Sequence, residues 1–226
     1  SNLAGYKAAI LAVDLLNRGT ALVMTPAGTI APAKALILGA GVAGLQAAST
    51  LKRLGAVVYV SDVRAAAKEQ AESLGVKFLT VDANADFENK KGYAAGVSRD
   101  FLLRQKKIVA EQLKQTDILI TTAFSAGKKA PLLADDKMLA GMPGNPVVVD
   151  ISGGNVAGKN IRPDIVFIQD ENLAAKLPNS ASRLFSGNVW NLISTYGGTA
   201  FNISVDDEIM TAIRIVKPQA KRRKKQ

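Results

Sequence analysis

The stretch that most restricts what this chain can fold into is Gly39-Ala40-Gly41-Val42-Ala43-Gly44. It follows directly on Ala35-Leu36-Ile37-Leu38, a short apolar run typical of a buried parallel strand. It opens a helical pattern from Val42 to Leu54, closed by Gly55. A second apolar run, Val57-Val58-Tyr59-Val60, then ends at Ser61-Asp62, which places an acid 23 positions after Gly39. G-x-G-x-x-G alone is a weak signal. Between a strand and a helix, with an acid at the end of the next strand, it is the fingerprint of a dinucleotide site. Each part has a task. Gly39 permits the tight turn, Gly41 lets the backbone approach a pyrophosphate, and Gly44 lets the helix pack close to the strand. The helix start, with its positive dipole end, receives the phosphate charge. Asp62 accepts hydrogen bonds from the adenosine ribose. A carboxylate there repels a 2′-phosphate, so the cofactor expected is NAD(H) rather than NADP(H). Arg64, two residues on, either offsets a phosphate or flanks the adenine. The bland alternative, a glycine-rich turn with no ligand, leaves the acid at the strand end without a purpose.

The rest of the chain repeats the strand–helix rhythm. Ser1–Asn17 reads as a helix on the spacing of Leu3, Tyr6, Ile10 and Val13, closed by Arg18-Gly19. Met24–Pro32, with two prolines, reads as a loop. Ala65–Leu74 reads as a helix closed by Gly75, and Lys77-Phe78-Leu79 as a third strand. Asp82–Gly96 is polar and weakly periodic and reads as a long surface loop, a kind of segment that is often functional in compact domains. Then come a helix over Phe101–Gln115, a strand over Asp117–Thr122, a short helix over Asp135–Leu139, a strand over Val147–Ile151, a sixth strand over Ile165–Ile168 and a helix over Leu184–Ile193. Such alternation implies an α/β fold, a doubly wound parallel (Rossmann) sheet. We expect it to occupy residues 1–200. Asn202–Val216 departs from the rhythm and reads as a strand pair, so 201–217 is expected to be a C-terminal segment of a second, incomplete domain, with 218–226 as a basic tail.

Composition closes off several kinds of chemistry. There is no Cys and no His, which excludes a disulfide framework and a thiolate site, makes a zinc site improbable, and removes the commonest general base. Neither a metal site nor a catalytic side chain is expected. Aromatics are 5%, so the core must be built from Ala, Val, Leu and Ile. No apolar run reaches the length of a membrane span, and the first residues do not read as a signal peptide. The net charge of +10 is partly the run Lys221-Arg222-Arg223-Lys224-Lys225. Such a block is ordinarily a solvated tail, and no aromatic residue interleaves with it, so nucleic acid is not an expected partner.

Several further stretches are familiar as a set: Ser1–Tyr6, Met24-Thr25 with Ala27-Gly28-Thr29, Gly41–Ala47, Lys52–Val58, Asp62–Ala66 with Lys68-Glu69-Gln70, Gly92-Tyr93-Ala94, Thr121-Thr122-Ala123, and Leu184-Phe185 with Asn188 and Asn191-Leu192. In them the chain resembles the alanine dehydrogenase and proton-translocating transhydrogenase family, most closely the NAD(H)-binding domain of the transhydrogenase α subunit. The resemblance implies that Ala40, Gly41 and Val42 lie along the pyrophosphate and that Asp62, Val63 and Arg64 surround the adenosine. It implies that Gly92 and Tyr93 belong to a mobile loop closing over nucleotide, and that Gln105 and Phe124 touch nucleotide as well. Alanine dehydrogenases lack that loop, so Asp82–Gln105 points to the transhydrogenase branch.

The activity implied is direct hydride transfer from NADH on this domain to NADP⁺ on a separate domain. The partners implied are the NADP(H)-binding domain, a membrane domain coupled to proton movement, an upstream domain of the same subunit and a second copy in a homodimer. The place implied is the cytoplasmic face of the bacterial inner membrane, or the matrix side in a mitochondrion. The cofactor carries that chemistry, and no acid or base is required for it. Two other readings compete: an alanine dehydrogenase-like oxidoreductase, which needs proton transfer, and a non-catalytic NAD-binding module. The chain departs from the family pattern in three ways. It begins where the nucleotide-binding half begins, without the domain that brings an Arg-Gln-Asp cluster to the nicotinamide. Asp150-Ile151-Ser152-Gly153-Gly154-Asn155 is shorter than usual. The C-terminus ends in the basic run.

Overall fold

Helix α1 (Asn2–Leu15) opens the chain and is followed by an antiparallel ribbon, β1 (Val23–Thr25) with β2 (Gly28–Ile30). The computed structural model describes residues 1–80, 97–124, 129–158, 160–196 and 207–213. Within the first of two compact units, Ser1–Pro178, strands and helices alternate. They are β3 (Lys34–Leu38), α2 (Val42–Arg53), β4 (Val57–Ser61), α3 (Ala65–Ser73), β5 (Lys77–Phe78), α4 (Arg99–Leu113), β6 (Ile118–Thr121), α5 (Asp136–Ala140), β7 (Val147–Asp150) and β8 (Val166–Gln169). The six strands β3–β8 form one sheet in the order β5-β4-β3-β6-β7-β8, every pair parallel. The order reverses between β3 and β6. That switch point is where an open α/β sheet leaves a crevice at the carboxyl ends of its strands.

Both faces of the sheet are covered because both sets of alternating side chains are apolar. Ala35, Ile37, Val58, Val60, Ile118, Ile120, Val147 and Val149 form one core with Ala8, Ala9 and Ala12 of α1, Ala47, Ala48 and Leu51 of α2, and Ala67 and Ala71 of α3. Leu36, Leu38, Leu119 and Val148 point the other way, into a core with Val109 and Leu113 of α4 and Met138 and Leu139 of α5. The first layer is built largely of alanine, which brings its helices close. At Gly5 in α1 the approach is closest: a Cβ there would lie 2.0 Å from the carbonyl oxygen of Ala43, in the first turn of α2.

Two expectations are corrected. Met24–Pro32 is not simply a loop but contains most of the β1–β2 ribbon. Pro26 lies in its turn, Gly28 takes the left-handed φ of +136°, and the Thr25 hydroxyl accepts from the Ala27 amide and donates to the Gly28 carbonyl. Its strands are too short, and too exposed on both sides, to show alternation. Asn202–Val216 is not described as a strand pair: Glu208–Ile213 is a helix, α7. Its Ile209 and Ile213 are β-branched but spaced by four, a helical period. The second compact unit, Asn179–Gln226, holds α7 and nearly all of α6 (Pro178–Tyr196), which is longer than the Leu184–Ile193 expected. There the Tyr196 hydroxyl donates to Asp207 at 2.7 Å. The Asp82–Gly96 loop and the basic tail lie outside the described residues. Among the described residues no helix is long and apolar enough to cross a membrane.

The contact of Gly5 with Ala43 is testable. Gly5→Ala is expected to lower unfolding stability by about 1–3 kcal/mol, since a methyl group is forced onto backbone that cannot rotate away. Urea unfolding followed by circular dichroism measures it, and an unchanged midpoint would show that α1 is free to shift.

Candidate functional site

The turn from β3 into α2 is fixed by its glycines, each for a different reason. Gly39 has φ +101°, and a Cβ there would meet the Thr122 hydroxyl at 2.8 Å and the Ala123 amide nitrogen at 2.9 Å. Its N–H donates to the Ser61 carbonyl at the end of β4, and its carbonyl accepts from the Thr122 hydroxyl just past β6. A Cβ on Gly44 would lie 1.8 Å from the Gly39 carbonyl oxygen. Gly41 differs: a Cβ there would meet nothing within 4 Å. The fold does not demand glycine at Gly41, so the open space in front of it is available to a ligand. Gly41 is also the N-cap of α2, and no side chain caps that helix. The first-turn amides are left for an anion, favoured by the helix dipole.

Asp62, one residue beyond β4, ties this turn down. Its Oδ2 accepts from the Ala40 amide at 2.7 Å and from Arg64 Nη2 at 3.0 Å, and its Oδ1 accepts from the Arg64 amide and Nε, both at 3.0 Å. The carboxylate is nearly buried. Burial alone opposes its charge. The Arg64 hydrogen bonds and positive charge, with the Ala40 and Arg64 amides, outweigh that and hold its pKa below the ordinary carboxylate value. Ala40 is therefore buried and turned toward Asp62, while Val42 is exposed at the helix start.

The sheet brings most of the expected positions to one edge. Gly39–Gly44 follow β3, and Asp62, half-buried Val63 and Arg64 follow β4. Gln105 of α4 reaches the end of β4, where its Nε2 donates to the Ser61 hydroxyl at 3.2 Å. Phe124 follows β6 and is exposed. Gly92 and Tyr93 lie outside the described residues. The sequence reading missed Thr122 and a buried polar knot after β7, in which Asp150, Ser152 and Asn155 bond to one another's backbone or side chains. The only local signal for the knot was a run of polar residues directly after a strand that is wholly apolar until its last residue. Among the described residues, no group of three or more Asp or Glu is placed to hold a metal ion.

A six-stranded parallel sheet of this order, with a glycine turn at the switch point and an acid on the neighbouring strand, defines a Rossmann-type dinucleotide-binding fold. The chain belongs to the family described as alanine dehydrogenase/PNT, C-terminal domain, whose profile matches residues 8–221. It is 43% identical to a NAD(P) transhydrogenase alpha subunit (the first of that subunit's separately encoded pieces, by its name) from Rickettsia prowazekii, across 96% of this chain and 58% of that protein. It is 42% identical to the protein of the same name from Rhodospirillum rubrum, across 87% of this chain and 54% of the relative. Among solved structures, the transhydrogenase of Sinorhizobium meliloti superposes with a TM-score of 0.78 at 38% identity, covering 93% of this chain and 58% of that one. The chain thus spans little more than half the length of these relatives.

The Asp62 cluster sets a pH dependence. With its pKa depressed on folding, Asp62 stabilises the fold fully above the ordinary carboxylate range, and the contribution is lost as pH falls through the lower folded value. Asp62→Asn is expected to cost about 1–3 kcal/mol at neutral pH, the worth of hydrogen bonds to a charged group. The difference from the parent should shrink toward zero in strong acid. Denaturation midpoints of the two proteins across that range measure it, and a pH-independent gap would mean that the charge of Asp62 contributes nothing.

Proposed function

We propose that this chain is the NAD(H)-binding portion of a proton-translocating nicotinamide nucleotide transhydrogenase, presenting NADH for direct hydride transfer to NADP⁺ held on a separate domain. The observation that carries the reading is the likeness, above 40% identity over most of the chain, to two proteins named as NAD(P) transhydrogenase alpha subunits. The site fits the cofactor. The open space before Gly41 and the uncapped start of α2 suit a pyrophosphate, and Asp62 beside them suits a ribose diol. When bound, the nicotinamide supplies the hydride. The chain's own residues then have three tasks: to neutralise the pyrophosphate with the α2 amides, to orient the adenosine with Asp62, Val63 and Arg64, and to shape the crevice with Gln105 and Phe124. Gly92 and Tyr93 are proposed to close over the nucleotide. None of these tasks moves a proton, which suits a chain without histidine.

The other participants are proposed on the same footing. They are the remainder of the subunit upstream, an NADP(H)-binding domain, a membrane domain, and a second copy of the subunit, with the complex at the cytoplasmic or matrix face of a membrane. The upstream portion suits α6, whose Phe185 and Trp190 are 70% and 68% exposed. A helix with such an apolar surface needs a cover, and the family description names this region a C-terminal domain.

Titration separates the cofactors. NADH is expected to bind at least about tenfold more tightly than NADPH, and Asp62→Ala to narrow that ratio by about the same factor, the worth of one charge-assisted hydrogen bond. Equal curves on the parent chain would remove the NAD(H) assignment. For the reaction, the chain alone is expected to transfer no hydride, because two nicotinamides must meet at contact distance and the sequence holds one fingerprint. A longer chain carrying the upstream domain, mixed with the NADP(H)-binding partner, is expected to reduce an NADP⁺ analogue with NADH. Turnover of NAD⁺ with alanine and no partner would point instead to an alanine dehydrogenase. Silence in the complete mixture would leave a binding module.

A further inference from the structure

The polar knot behind β7 reaches into the crevice through one side chain. Asp150, the last residue of β7, is fully buried. Its Oδ1 accepts from the Ser152 amide and hydroxyl at 2.8 and 2.7 Å, and its Oδ2 from the Asn155 and Val156 amides at 3.0 and 3.3 Å. A carboxylate so wrapped fixes the backbone of the whole turn. The turn delivers Asn155, itself fully buried, against the chain leaving β6. Asn155 Oδ1 accepts from the Ala123 amide at 2.9 Å, while Nδ2 donates to the Ala123 carbonyl at 3.0 Å and to the Pro131 carbonyl at 2.8 Å. The Asn155 carbonyl accepts from the Leu133 and Ala134 amides at 2.8 and 3.0 Å.

The side-chain amide thus acts as a stand-in peptide. The β6–β7 ladder pairs Thr121 with Asp150, and its last bond runs from the Ile151 amide to the Thr121 carbonyl. Beyond that point the strands separate, and Asn155 supplies Ala123 with both the donor and the acceptor that a neighbouring strand would have given it. No polar atom of that side chain is idle. The residue so held sits next to Thr122, which grips Gly39, and next to exposed Phe124. In a doubly wound fold the dinucleotide lies across the switch point. With the adenosine on the β4 side at Asp62, the other nucleotide half falls on the β6–β7 side, where Ala123 and Phe124 form the rim.

We propose that Asn155 is a positioning residue for the nicotinamide half of the site: by holding Ala123 it sets the place of Phe124 and of the β6 rim, and leaves the adenosine half untouched. The proposal rests on the nucleotide-binding reading above, and the test separates the two. The parent chain and its Asn155→Ala and Asn155→Asp variants are titrated with NADH and with ADP-ribose, which lacks the nicotinamide. Alanine removes all three side-chain bonds; aspartate keeps the shape and loses both donations. Both variants are expected to bind NADH about tenfold more weakly, with ADP-ribose changed by less than about twofold. Hydrogen exchange at the Ala123 amide should quicken in the alanine variant. Equal losses for the two ligands would mean that Asn155 is a general scaffold residue, and unchanged NADH binding would mean that it positions nothing; either overturns the proposal. If the alanine variant does not fold, the isosteric aspartate variant decides on the same ratio. If the parent binds neither ligand, the nucleotide-binding reading has failed, and this inference with it.

Discussion

The backbone of Gly39 is the point on which the crevice depends. Three strands meet at it: β3 runs into it, the end of β4 accepts its N–H, and the chain leaving β6 donates a hydroxyl to its carbonyl. Its left-handed φ turns the chain so sharply that α2 starts almost on top of the strand, with no room for a side chain on Gly44. Any other residue at Gly39 meets both a strained φ and the backbone of Ala123. The site is therefore made mostly of main chain, which is how a protein without His or Cys can still offer a shaped, polar recess.

Charge enters this recess sparingly. Asp62 is the acid nearest the turn, and the four hydrogen bonds it accepts use the whole capacity of a carboxylate. The Arg64 fork holds it in place and offsets the cost of taking it out of water, while the Ala40 bond couples it to the glycine turn. A ribose can join this carboxylate only by taking over bonds that Arg64 makes. The proposed ligand would thus replace an internal partner rather than meet a bare charge, and the turn keeps its shape while the exchange occurs.

How far the sequence reveals this varies with the physics. β3, β4, β6 and β7 were legible to within about a residue because strands buried on both faces leave continuous apolar runs. The glycine turn and Asp62 were legible because the need for them is local: a tight turn, a close approach, an acid at a strand end. The ribbon was not, since each strand has three residues and neither is buried. Nor was α7, whose β-branched residues mimic a strand. Asn155 and Thr122 act on residues 32 and 83 positions away, and nothing in the neighbourhood of either in the sequence announces a partner that only the folded sheet supplies. Asp62 was read as free for a ribose. Its engagement by Arg64 followed from a side chain two residues on, which the spacing alone left undecided.

The two faces of the sheet differ in a way that bears on how such a chain can change over evolutionary time. One layer is packed with alanine and glycine, the other with leucine, methionine and valine. On the alanine side a larger residue has nowhere to go, because helix backbones already touch, whereas further shrinkage has little left to remove. On the leucine and methionine side the reverse holds: truncation opens a cavity, while exchange among residues of similar volume is absorbed. Drift in such a domain is therefore lopsided. The layer over α4 and α5 can be rewritten residue by residue, and the layer that carries the glycine turn is held nearly still. The region of the fold that shapes the crevice is also the region least able to wander.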